Sequence, residues 1–487
     1  MCIRDRITTS PSRRTGCSGH RSGQARARAS GPTVTASPGG SRGASLGWAA
    51  VALTAPSAPA TRAGAAQPRV AALDLDARLA LCARSREALA AAGEAIVDAA
   101  VAEVGQPRRF AARELESALG LLDALPALAE AIRPRPVPAA SGTTRLEWAP
   151  YGVVLGWHAA NSPVWVPTLV AASALVAGNA VLARPSSRAR ATTGRVLAAL
   201  AGPWPEGAVT VVDLPGPQAE PLVWDPGVHA VVTHASTRTC KRQLAGLGAA
   251  YAAGAPFRPY IPEGSGNDAM IVLEGADLDA AAAAAALGGF ANGGQLCMAA
   301  KRIVVERAAW EGFRPRLVEA VAALRLGDPD DPATEVAPLA EGPARAEARA
   351  ALAGALAAGG EVLVGEGERG PFFTPTIVAL PREALGGLAL WREETFAPLR
   401  GLVVAEDPED ALALANDTPF ALGAAVFGPG EDQLPRLRAA RVLLNEGPLY
   451  QDAHLVVGGV GDSGMAGARP KVEQLVWARR VHRAEAS

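Results

Sequence analysis

The chain predicts an α/β protein with two doubly wound domains. Two blocks of short apolar runs alternating with Ala-rich segments, one on each side of residue 263, carry that prediction. The 487 residues, 49% hydrophobic and 20% charged, suffice for two or three globular domains. In the first block Val153-Val154-Leu155, Val181-Leu182-Ala183, Val209-Thr210-Val211-Val212 and Ala230-Val231-Val232 read as strands, with 164–177, 188–201 and 217–222 as crossovers. Strand–helix alternation of this kind implies a parallel sheet. In the second block the strands are Met270-Ile271-Val272-Leu273, Arg302-Ile303-Val304-Val305, Thr376-Ile377-Val378 and Gly401-Leu402-Val403-Val404. Ala-rich helices are expected near 278–287, 308–323 and 342–358. Residues 71–134 carry helical patterning, with Leu79, Leu89, Leu115, Leu119, Leu122 and Leu125 at amphipathic spacing.

Composition excludes several classes. No run of 18 apolar residues is uninterrupted, so no membrane span is expected. The cysteines at 2, 17, 82, 240 and 297 lack paired spacing and the six histidines are scattered, against a disulfide framework and against zinc. Unpaired thiols suit the reduced cytoplasm. Residues 1–73 hold ten Arg and one Asp, a balance of +9 in a chain whose net charge is −1. A nucleic-acid arm or a transit peptide has such a composition. Yet Met1-Cys2-Ile3-Arg4-Asp5-Arg6 looks like a translated sequencing adapter, and no hydrophobic period follows. Residues 1–65 are therefore expected to be a non-native or disordered extension, with no nucleic-acid partner.

Chemistry concentrates in Asn292-Gly293-Gly294-Gln295-Leu296-Cys297-Met298, where a lone thiol stands between a Gly-Gly loop and an apolar strand. A thiol so placed is a buried small hydrophobe or a nucleophile; the nucleophile needs a base or positive charge nearby. Glu263, in Pro262-Glu263-Gly264-Ser265-Gly266-Asn267-Asp268, is the candidate base. Gly264-Ser265-Gly266-Asn267-Asp268-Ala269 superficially matches a dinucleotide fingerprint. It leads into a strand rather than a helix, so its glycines are better read as letting backbone pass close to the site.

These segments together resemble the aldehyde dehydrogenase superfamily. So do Tyr151-Gly152-Val153-Val154, Asn161-Ser162-Pro163, Ala177-Gly178-Asn179, Arg184-Pro185-Ser186, Glu393-Glu394-Thr395-Phe396-Ala397-Pro398, Asn416-Asp417-Thr418-Pro419-Phe420 and Gly458-Gly459-Val460-Gly461-Asp462-Ser463-Gly464, all in the family's order. The resemblance implies a nucleotide-binding domain over 66–262 with a bridging strand near 142–150. It implies a catalytic domain over 263–440, and a 441–487 segment that completes the site and adds an oligomerisation strand. Cys297 is then the nucleophile, Glu263 the general base and Asn161 the oxyanion donor. Arg184, Ser186, Ser187 and Ser236 are then cofactor contacts, and Glu394 and Phe396 hold the nicotinamide end.

The chain departs from the family's pattern in several places. Ala160 and Ser162 replace the bulky aromatics that usually flank the asparagine, leaving a wider or more polar funnel unless Trp157, His158 or Trp165 fills it. Ser187 replaces the acid that binds ribose hydroxyls, and with Arg184 and Arg188 this leans the cofactor to NADP over NAD. His234-Ala235 replaces an expected glycine. The expected activity is oxidation of an aldehyde to an acid by a cytoplasmic homodimer or homotetramer. A coenzyme A-acylating relative and a non-catalytic scaffold are the alternatives; Glu263 counts against the former, and the Cys297–Glu263–Asn161 trio against the latter.

Overall fold

The computed structural model describes residues 55–340, 342–450, 452 and 458–484. Helix α1 (Ala58–Ala71) starts where the Ser57 hydroxyl caps the Ala60 N–H, and it buries Ala60, Ala63, Ala66 and Val70. The expected boundary at 65 therefore needs correction. Residues 58–65 belong to the fold, because small alanines at helical spacing pack where a hydropathy pattern shows little. Residues 1–54 of the expected extension lie outside the described residues. Helices α2 (Leu75–Ala91), α3 (Gly93–Val104) and α4 (Arg108–Ala129) follow. The inner face of α4 carries Ala111, Glu114, Ala118, Leu121, Leu122 and Leu125, a helical stripe interrupted by one acid.

After β1 (Arg135–Val137) and β2 (Thr143–Pro150) comes the first parallel sheet. Its strands are β3 (Val153–Trp157), β4 (Ala180–Arg184), β5 (Val209–Val211), β6 (Ala230–His234) and β7 (Tyr260–Glu263), in the order β5-β4-β3-β6-β7. β3 and β4 are buried throughout, as apolar strands covered on both faces must be. Helices α5 (Trp165–Val176), α6 (Arg190–Ala201) and α7 (Thr237–Ala252) complete this domain. Neither α7 nor β7 is evident from sequence. α7 carries two glycines and a polar face, and β7 contains Pro262, which is tolerated because β7 is an edge strand.

The second sheet holds β8 (Asp268–Val272), β9 (Ala300–Glu306), β10 (Glu361–Val364), β11 (Thr376–Ala379), β12 (Leu399–Ala405), β13 (Gly423–Phe427) and β14 (Arg441–Leu444). They run in the order β10-β11-β12-β9-β8-β13-β14, parallel except for β10 against β11. Met270, Val272, Ile303 and Val305 face α8 (Leu278–Phe290) and α9 (Arg307–Ala322). Ile271, Val304, Val403 and Val426 face the opposite core around Trp391, as two-residue alternation requires. Because β14 is a strand of this sheet, the expected domain end at 440 falls short. The tail strand β15 (Val476–Arg483) pairs antiparallel with β2 of the same chain, giving a three-stranded sheet β1-β2-β15. No described helix is long and apolar enough to cross a membrane.

Candidate active site

The thiol loop is shaped by three consecutive left-handed residues, Asn292 (φ 52°), Gly293 (φ 64°) and Gly294 (φ 70°). A side chain at Gly294 would strike the Arg400 guanidinium at 2.2 Å and the Ala397 carbonyl at 2.5 Å. Arg400, fully buried on β12, donates to the carbonyls of Gly294 (3.0 Å), Ala397 (2.9 Å), Leu399 (2.6 Å) and Gly289. It thereby staples the thiol loop to the segment bearing Glu394 and Phe396. On the other side Gly266 passes so close that a Cβ there would lie 2.2 Å from the Cys297 carbonyl oxygen. This is the close backbone approach that the Gly-Ser-Gly segment suggests.

Cys297 is half-buried. Desolvation pushes its thiol up to about 11; Lys301 pulls it down, while Glu394, Asp268 and Glu263 push it further up. The free thiol is therefore protonated at neutral pH and needs a base. Buried Lys301 donates to the carbonyls of Leu296 (2.6 Å) and Cys297 and lies 3.4 Å from Glu394. Glu394 also accepts from the Gly266 N–H at 3.0 Å.

Glu263 ends β7, in register with His234 on β6. Its carboxylate is buried and ion-paired with the buried ammonium of Lys471. Desolvation raises its pKa, and Lys471 opposes that rise. The C-terminal segment is held there by the Gly264 N–H, which donates to the Ser463 carbonyl at 2.8 Å.

Asn161 sits in the loop between β3 and α5. Its carbonyl accepts from Gln106 Nε2 (3.1 Å) and Asn292 Nδ2 (3.2 Å), tying it to the thiol loop. The rest of that loop hangs on Glu114. Its Oε1 accepts from the Ser162 hydroxyl (2.7 Å) and the N–H groups of Val164 (3.0 Å) and Trp165 (2.8 Å), and its Oε2 accepts from Gln106 (3.2 Å). Burial pushes the Glu114 carboxyl up, and those hydrogen bonds pull it back. The polarity of Ser162 is thus spent on Glu114.

One cavity of about 1130 Å³ is lined by Cys297, Glu263, Asn161, Arg184, Ser186, Ser236, Glu394 and Phe396. Ser187 does not line it: this serine is exposed, and Arg188 stands at the wall instead. The cause is the turn after β4, which carries residue 187 outward. The cavity runs over the carboxyl ends of β3, β4, β6 and β7, the usual crevice for a dinucleotide. Arg184 stacks on Trp157 at 4.4 Å and donates to the Leu214 carbonyl at 3.2 Å. Ser236 caps α7, whose first residues line the cavity and present a helix N-terminus to it. Among the described residues, His234 Nδ1 and both ring nitrogens of His158 are buried without a hydrogen-bond partner. Desolvation lowers both histidines, His158 to about 3, so both rings are neutral. A crevice of this size, mostly apolar with Arg184, Ser186, Ser236 and Glu394 as polar groups on its wall, fits a nicotinamide dinucleotide.

Glu114, Lys301, Arg400 and Lys471 escaped the sequence reading. Glu114 had a signal, an acid on the apolar stripe of a helix. Lys301 had one too, a cation four residues beyond the thiol.

Residues 54–476 match the model of the aldehyde dehydrogenase family. The chain is 30% identical over 391 residues to the NAD(P)+ succinate semialdehyde dehydrogenase Sad of Escherichia coli, covering 78% of this chain and 82% of that protein. It is 33% identical over 326 residues to the NADP+ succinate-semialdehyde dehydrogenase of Mycobacterium leprae, covering 65% and 69%. Among solved structures, the NADP-dependent glyceraldehyde-3-phosphate dehydrogenase of Bacillus halodurans shares the fold, with TM-score 0.80 and 24% identity over 88% of this chain and 90% of that one. The aldehyde dehydrogenase KauB of Pseudomonas aeruginosa does so with TM-score 0.82 and 24% identity, over 88% of each. With the match spanning nearly all described residues, the chain belongs to the aldehyde dehydrogenase family.

Proposed function

We propose that this protein oxidises an aldehyde to a carboxylic acid with NADP+ or NAD+, using Cys297, Glu263 and Asn161. One observation carries the reading: all three line the cavity that continues to Arg184 and the N-terminus of α7. Glu263 takes the proton of the Cys297 thiol, and the sulfur adds to the aldehyde carbon to form a thiohemiacetal. The Asn161 side-chain amide and the Cys297 N–H donate to the developing oxyanion. The bound nicotinamide cofactor supplies the acceptor for the hydride that leaves the substrate carbon. Collapse of the oxyanion leaves a thioester on Cys297. Glu263 releases that proton to solvent and then takes one from water, which attacks the thioester; the acid departs, and the Cys297 thiolate takes its proton back from Glu263. Lys471 holds Glu263 in place between these proton transfers.

Arg184 and Arg188 at the β4 end favour a 2′-phosphate, in keeping with relatives named for NADP+ or NAD(P)+. Those relatives also point to semialdehydes as the substrate class. Assembly as a homodimer or homotetramer through the β1-β2-β15 sheet belongs to the same reading; light scattering measures it. An aldehyde panel with each cofactor, read by absorbance of the reduced nicotinamide, tests the oxidation. Turnover with at least one aldehyde, faster with NADP+, is expected. A folded protein that oxidises none overturns it.

A further inference from the structure

Arg113 stands on the face of α4 that lines the reaction cavity, and among the described residues it has no counter-ion. Residues 110, 113, 114 and 117 share one helix face, and all four line the reaction cavity. Phe110 packs in the apolar cluster of Leu296, Met298 and Cys297. Glu114 is committed to the Asn161 loop. Arg113 lies about 4.5 Å along the helix from Phe110, by the ordinary rise per residue. That places Arg113, an exposed residue, about one helical turn from Phe110.

The pairing of its neighbours makes Arg113 distinctive. Arg108 is ion-paired with Asp98 and Asp330, each at 2.6 Å, and Arg109 with Glu335 at 2.9 Å. Arg113 has neither an ion pair nor a side-chain hydrogen bond among the described residues. The Ser117 hydroxyl donates to the Arg113 carbonyl at 2.9 Å, so the guanidinium is the free donor on this face. Arg113 also lines an adjoining lobe of about 320 Å³ with Trp165 and Leu449. The acids of that lobe, Glu116 and Asp452, do not line the reaction cavity. Trp165, Leu449 and Phe110 add apolar surface to the same cavity.

We propose that Arg113 receives the anionic end of the substrate, and that the substrate is a short aldehyde bearing a carboxylate at its far end. The planar guanidinium matches a carboxylate through two parallel N–H donors, while the apolar wall takes the carbon chain. The inference rests on aldehyde oxidation at Cys297 and adds the residue that selects among aldehydes.

The test compares succinic semialdehyde, glyceraldehyde 3-phosphate and butanal as substrates of the full chain and of Arg113→Gln and Arg113→Lys. Calorimetric titration with succinate provides a readout independent of turnover. In the wild type, succinic semialdehyde should be preferred to butanal. In Arg113→Gln its KM should rise roughly ten- to hundredfold, with kcat moving less than about twofold. Arg113→Lys should recover part of the KM, and succinate binding should weaken in parallel. An unchanged semialdehyde KM in Arg113→Gln overturns the proposal, as does a wild type that takes butanal equally well. An Arg113-dependent preference for glyceraldehyde 3-phosphate overturns the carboxylate assignment. If no aldehyde is oxidised, the oxidation reading fails by itself, and wild-type succinate binding that Arg113→Gln fails to weaken overturns this one.

Discussion

The ammonium of Lys471 meets the carboxylate of Glu263 across 208 residues of sequence, and both groups are buried. The partner that sets the charge of the proposed base therefore comes from the C-terminal segment, not from the base's own sheet.

The sign of its effect on pH dependence follows. Glu263 must be ionised to accept a proton. Desolvation raises its pKa, and Lys471 holds it down. Removing the ammonium in Lys471→Met should raise that pKa further and move the acid limb of the kcat profile to higher pH, lowering the rate near neutrality. Lys471→Arg should return the limb towards its wild-type position. A limb that stays in place, or moves to lower pH, shows that the pair does not tune the base.

Cys297→Ser should abolish oxidation while cofactor titration and the unfolding midpoint stay close to wild type, since the change is small and the residue only half-buried. In the cofactor-free wild type, iodoacetamide labelling of this thiol should climb about tenfold per pH unit and level off only near its pKa of about 11. A plateau below pH 8 would contradict the desolvated setting.

Glu114→Ala should act on both stability and rate. It leaves the buried N–H of Val164 unpaired along with that of Trp165, at a cost of about 2–4 kcal/mol in urea unfolding. It also frees the Asn161 loop, so kcat should fall at least about tenfold, with Glu114→Gln intermediate. Wild-type kcat in the alanine variant would show that the loop holds itself.

Deleting residues 1–65 removes the first turns of α1, with Ala60, Ala63 and the 2.9 Å bond from the Ser57 N–H to Asp225. Loss of about 2 kcal/mol of burial and hydrogen bonding should lower Tm by roughly 2 °C in a chain of this size. A melting curve that superimposes on the full chain's would show that these turns add nothing.

The sequence reveals the parts of this protein that repeat a simple period. The strands around Val154, Val181, Val231, Ile271 and Val304 are continuous apolar runs and stand where the pattern puts them. β7 was hidden by Pro262, which only an edge position permits, and α7 by its glycines. The proposed reactants were legible because Cys297 and Glu263 sit in distinctive local contexts. Their supports were not. Lys471 and Arg400 act through contacts distant in sequence, which a linear pattern does not encode. Ser187 shows the converse: a position matched by motif is turned outward by the backbone after β4.

The hydrogen bonds of the Arg400 staple read only backbone. Its acceptors are the carbonyl oxygens of Gly289, Gly294, Thr395, Ala397 and Leu399, and its one side-chain contact of note is the Phe290 ring at 5.6 Å. Mutational tolerance should therefore be uneven across the site. Changes at residues 397 and 399 leave the staple its acceptors, whereas a change at 400 removes the shared anchor from both walls at once. The alignment of the thiol loop with the 394–396 segment thus depends on two buried cations, Arg400 and, beside the thiol, Lys301, and a variant scan of the region should show its sharpest intolerance at those two positions.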